Sequence, residues 1–79
     1  MLTKYKGGFM PLVIAPINQE LRIIKVLAQD KLKKHLESLG ICVDEKITIL
    51  ARSNGNIICI IKNGRIAIDN TVASKILVG

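Results

Sequence analysis

The sequence predicts a mainly β domain with one short helix, wound into a small β-barrel. Three observations predict it. Several short runs rich in Ile, Leu and Val are separated by turn residues. One amphipathic stretch has helical spacing and a glycine stop. Two connections read Ser53-Asn54-Gly55 and Asn63-Gly64, and Asn-Gly is the strongest short hairpin signal because both residues tolerate positive φ. Two tight hairpins in a row force an antiparallel meander. Closing the sheet on itself would remove the edges that otherwise aggregate.

Taken in order, residues 1–9 read as an N-terminal tail or extension, with Met10-Pro11 as an alternative natural start, and residues 10–79 as the domain. Residues 12–15 are an apolar strand or extended lead-in. Residues 16–19 are a turn in which Asn18 can accept positive φ. Residues 20–27 are β-rich, with Leu21, Ile23 and Lys25 on one face and Arg22, Ile24 and Val26 on the other. Asp30 is the candidate N-cap of a helix over 31–39. Leu32, Leu36 and Leu39 are spaced four and three apart, which makes one apolar stripe.

Lys31, Lys33 and Lys34 crowd the positive end of that helix, at roughly 0.3–1 kcal/mol each. Burying three leucines contributes about 1.5–3 kcal/mol each, so the helix forms only when docked. Gly40 ends it, because glycine takes a left-handed conformation without steric cost. Ile41 then folds back onto Leu36. Strands follow at 46–52, with Ile47, Ile49 and Ala51 on one face, at 56–62, and at 65–69. Ile57-Ile58-Cys59-Ile60-Ile61 is apolar on both faces, so this strand should be central and covered on both sides. Residues 71–75 form a helical turn and 76–78 a last strand.

Composition narrows the function. Seventy-nine residues make one small domain, 49% apolar, whose thin margin is offset by that apolar content without disulfide staples. Cys42 and Cys59 read as free thiols acting as small hydrophobes, although spacing alone leaves a disulfide open. The longest runs without charge, 7–19 and 53–61, fall short of the ~20 apolar residues of a membrane span. No secretory signal is evident, and a cytoplasmic location is expected.

The net charge is +6, which suits nucleic acid, anionic lipid or an acidic protein. The only aromatics are Tyr5 and Phe9, so the barrel has no stacking platform. Stacked bases contribute ~1–3 kcal/mol each, and their absence argues against single-stranded nucleic acid.

Catalytic patterns are missing. There is no phosphate loop, since Lys6-Gly7-Gly8 sits in the tail. The single histidine has no nucleophile partner among Ser38, Ser53 and Ser74. Asp44-Glu45 are adjacent in a loop and solvated. No enzyme is read. A metal site needs about three or four ligands; His35 and Cys42 are the weak candidates, while Cys59 belongs to the core.

The stretch His35-Leu36-Glu37-Ser38-Leu39-Gly40-Ile41, with Ile66-Ala67-Ile68, Ala73, Ile76 and Val78 at their spacing, resembles the FeoA family. This is the small accessory domain of bacterial ferrous-iron uptake, also found at the C-terminus of some iron-dependent repressors. The match runs over about residues 10–78. Val43-Asp44 stands where the family has Pro-Gly, Asn18 stands for its first glycine, and His35 for an arginine. Asp and Asn are the next-best residues for left-handed φ, so both turns can survive.

The resemblance implies an SH3-like barrel that binds rather than catalyses. Its partner would be the membrane ferrous-iron transporter FeoB, which carries a GTPase domain. Lys31, Lys33, Lys34, Leu36, Ile41 and Arg52 are the expected partner-binding residues, with steering by the lysines. No cofactor is required; weak binding of Fe²⁺ or another divalent ion is one alternative, as in a transition-metal sensor, and a basic nucleic-acid-binding barrel is another. A homo-oligomer stays open.

Overall fold

The computed structural model describes residues 9–62 and 64–79, so residues 1–8 of the expected tail over 1–9 and Asn63 of the second hairpin lie outside the described residues. The elements run β1 (Met10–Pro11), a 3-10 helix (Leu12–Ile14), β2 (Glu20–Val26), α1 (Asp30–Ser38), β3 (Lys46–Ser53), β4 (Asn56–Ile61), β5 (Gly64–Asp69), α2 (Asn70–Ala73) and β6 (Ile76–Val78). The strands form one antiparallel sheet in the order β1-β6-β2-β3-β4-β5. It curls around an aliphatic core that includes Leu12, Ile23, Leu36, Ile41, Ile47, Ile49, Ile57, Cys59, Ile76 and Val78.

The expected closure does not occur. β1 and β5 are the outermost strands and do not pair with each other. The seam between them is flanked by helices instead: α2 lies against β4, β5 and the 3-10 helix, and Leu32, Leu36 and Leu39 of α1 border a cavity of about 190 Å³ with Ala67 and Ile68 of β5. Covering an edge with a helix protects it as closure would.

The meander is as read from the sequence. β3 pairs with β4 and β4 with β5, each antiparallel. In the first turn only Gly55 of the Asn-Gly pair takes positive φ, at 78°. Asn18 (φ 63°) and Asp44 (φ 76°) are the two non-glycine residues with positive φ among the described residues. They occupy the two turns where asparagine and aspartate were read as standing in for glycine.

Alternation fails at two bulges. The β2–β6 register shifts between Ile23 and Lys25, so Val26 rather than Lys25 turns toward the core. The β3–β4 register shifts between Ile49 and Ala51, which leaves Ala51 exposed. One extra residue reverses every side chain beyond it, and no residue type announces where it sits. Residues 12–14 are 3-10 helix, not strand. β4 is an interior strand but not central, since it lies one in from the β5 edge, and only Ile57, Cys59 and Ile61 face the core; Ile58 is half-buried and Ile60 is 42% exposed. One face of β4 is therefore uncovered, against expectation.

Candidate functional site

The arm between β2 and β3 carries most of the residues singled out from the sequence. α1 begins one residue before the predicted start. Gln29 is its N-cap and makes no side-chain cap bond, while Asp30 lies in the first turn, where its charge still favours the helix dipole. The C-terminus closes with two bonds: Gly40 N–H donates to Glu37 O at 3.0 Å and Ile41 N–H to Leu36 O at 2.9 Å. This is a Schellman motif, possible because Gly40 takes φ 97°. The chain returns to β2 through Asp44 N–H to Ile23 O and Ile23 N–H to Glu45 O, both 2.8 Å.

Leu36 and Ile41 are 1% and 0% exposed. They anchor the arm and offer no surface to a partner, so these two fall out of the expected contact set. Lys31, Lys33 and Lys34 are exposed, but they do not form one patch. Successive helical residues are turned by about 100°. Lys31 therefore lines a groove of about 540 Å³ with Leu27, Gln29 and Lys75, and Lys33 lines a second of about 380 Å³ with Lys25, Cys42 and Val43. α1 thus stands as a ridge between two grooves, with Lys31 on one flank and Lys33 on the other.

Arg52 serves the fold. From β3 it donates Nη2 to Val13 O at 3.0 Å and Nε to the same oxygen at 3.3 Å, and Nη2 also donates to Ala15 O. The guanidinium fork thereby fastens the segment after β1 to the meander. No local signal in the sequence could give this contact, because the partners are 37 and 39 residues away.

His35 and Cys42 line different grooves. His35 faces Leu39, Asp69 and Val72, and Cys42 faces Lys25, Lys33 and Glu37. Among the described residues no three His, Cys, Asp or Glu side chains gather into a metal-holding group. The donor set needed for a structural or sensory metal is not assembled by this pair. Both cysteines are free thiols. Burial pushes the Cys59 thiol up to about 11, because the thiolate would lose its hydration.

A fourth feature escaped the sequence reading. Glu20, Asp44 and Glu45 converge with Lys46 and Lys62 around a groove of about 410 Å³ floored by Thr48 and Ile60. Lys62–Glu45 (3.8 Å) and Lys46–Glu20 (4.0 Å) are the ion pairs there. Both are largely solvent-exposed and worth little in stability. They do leave this end of the molecule near neutral; α1 carries Lys31, Lys33 and Lys34 against Asp30 and Glu37, a net charge of +1.

No helix among the described residues is long and apolar enough to cross a membrane. No curated protein matches the chain. Solved structures resemble it closely in fold. A crystal structure of an iron uptake regulatory protein (FeoA) superposes with a TM-score of 0.80 at 24% identity, over 90% of this chain and 95% of that one. The iron(II) transport protein A of Clostridium thermocellum gives 0.82 at 25% identity, over 87% of this chain and 44% of that one. A manganese-dependent transcriptional repressor with bound manganese gives 0.81 at 21% identity, where this chain spans 36% of the repressor. The barrel is thus the SH3-like type shared by these iron-uptake proteins and metal-dependent repressors. A family model for the FeoA domain matches residues 10–79, and the chain belongs to that family, which is linked to ferrous-iron transport.

Proposed function

We propose that this chain is a non-enzymatic, cytoplasmic accessory domain of ferrous-iron transport that docks on the cytoplasmic, GTPase-bearing part of the membrane ferrous-iron transporter. The α1 ridge supports this reading. It is a helix held to the barrel by one buried stripe, with Lys31, Lys33 and Lys34 projecting outward and a groove on either side. Such a surface has little to do for the fold. Exposed lysines here oppose the helix dipole, and their value lies in steering an acidic partner into register. The apolar parts of the contact would come from Leu27 and Val43, 50% and 51% exposed in the two flanking grooves.

The test is binding to the purified cytoplasmic domain of the transporter, followed by calorimetry at two salt concentrations. Lys33→Glu with Lys34→Glu should weaken binding about tenfold or more, mainly through a slower on-rate. The fold should be untouched, since surface substitutions of this kind stay within about 0.5 kcal/mol. Unchanged affinity in the doubly reversed protein would remove α1 from the interface.

A further inference from the structure

We propose that the outer face of β3, β4 and β5 is a self-association surface on which a second copy of this chain packs about a two-fold axis. The sequence makes β4 apolar on both sides, as Ile57-Ile58-Cys59-Ile60-Ile61, and the fold covers only one. What lies on the other side follows from the register. Three rows cross the face: Thr48–Ile60–Arg65, Ala51–Ile58–Ala67 and Ser53–Asn56–Asp69. The middle row is apolar and, at Ala51 and Ala67, small enough for close approach. On β5 it is flanked at equal spacing by a cation, Arg65, and an anion, Asp69.

That arrangement is self-complementary. A two-fold axis along the middle row lays Ile58 on Ile58 and Ala67 on Ala67 of the second copy. It brings each Arg65 opposite the other copy's Asp69, and Thr48 and Ile60 opposite Ser53 and Asn56. Asp69 has an oxygen for this contact, because Oδ1 is committed to Val72 N–H at 2.8 Å and Oδ2 remains. The competing axis, parallel to the strands along β4, keeps every residue in its own row, so Arg65 would face Thr48 and Asp69 would face Ser53. Only the first axis brings the opposite charges together.

Facing sheets pack with strands nearly aligned at about 10 Å. Three strands of five residues give a plan area of only roughly 200 Å², against about 800 Å² per partner in a standard stable interface. The association is therefore weak and concentration-dependent. Ala67 and Asp69 also border the cavity beside Leu32, His35 and Leu39 of α1, but the contact uses none of the α1 lysines and stands independently of transporter docking.

The experiment is sedimentation velocity on the full chain from about 10 μM to about 1 mM, the range weak interfaces occupy, with amide chemical shifts followed in parallel. A monomer–dimer equilibrium is expected, with shifts concentrated at Ile58, Ile60, Arg65, Ala67 and Asp69. Ile60→Lys should weaken it about tenfold or more. Arg65→Ala and Asp69→Asn should each weaken it about threefold, as exposed charge pairs do; asparagine preserves the α2 cap. Combined, they should weaken it no more than the stronger single change, because they remove the same pair. A monomer across the whole range, a dimer indifferent to Ile60→Lys, or additive effects of the two charge changes would each overturn the proposal.

Discussion

The β3–β4–β5 meander and the arm from Leu27 to Glu45 are built on different principles. In the meander, neighbouring strands are two residues apart in sequence and each residue's partner is close in sequence. Arg52 opposes Ile57 and Ile61 opposes Gly64. Its contacts cost little loop-closure entropy. The arm forms no strand pairs along most of its length. It is held by the Leu32–Leu36–Leu39 stripe, of which Leu36 is fully buried, by the buried isoleucine beyond its helix stop, and by backbone bonds from Leu27 to Lys75 and between Ile23 and Asp44 and Glu45. The meander is the scaffold, and the arm is an addition whose order depends on a few side chains. That is how a small domain can carry an exposed helix without giving up its core, because segments with few buried contacts open at lower free energy than the core does.

Leu36→Ala is the strongest way to break the comparison. Loss of a fully buried leucine should cost about 2–5 kcal/mol, read by urea denaturation. Amide exchange should rise at α1 well before it rises at Ile57–Ile61 if the arm opens on its own. Equal loss of protection in both regions would show a single cooperative unit and no distinct arm.

Next in size is a probe of the meander core. Burial holds the Cys59 thiol protonated to about 11, against 9.0 for the free side chain. The unfolded chain loses this proton first as pH rises, so the folded state binds more protons between these values. The stability due to this group is thus complete below about pH 9 and declines as pH passes through 9 to 11, by up to about 2–3 kcal/mol. Comparing denaturation of the parent protein and Cys59→Val at pH 8 and pH 11 isolates the effect, since every other titrating group is shared. An identical decline in both proteins would mean that the thiol is not shielded.

The smallest expected effects sharpen the picture of the arm. Gly40→Ala places a Cβ at φ 97° and should destabilise by about 1–2 kcal/mol. Asp44→Gly relieves a residue at φ 76° and should leave stability unchanged or raise it by a few tenths of a kcal/mol, because glycine's added unfolded-state entropy offsets part of the gain. Thermal melts of the two variants should therefore shift in opposite directions, or in one direction only for Gly40→Ala.

The sequence by itself determined the meander, the helix with its stripe and stop, and the turn at Asn18, while the turn at Asp44 came from the family resemblance. Apart from that last turn, each depends on residues within a few positions of one another, so turn chemistry and periodicity were enough. The thiol in mid-strand and the lysines around α1 were legible for the same reason. Tertiary structure alone decided the rest. It placed the two bulges that turned Val26 inward and Ala51 outward, left the barrel open between β1 and β5, and put Leu36 and Ile41, expected at a partner contact, into the core. It also sent the Arg52 side chain across to Val13 and Ala15. These outcomes turn on which distant segments compete for the same space and the same backbone oxygens, and a chain read in order holds no record of that competition.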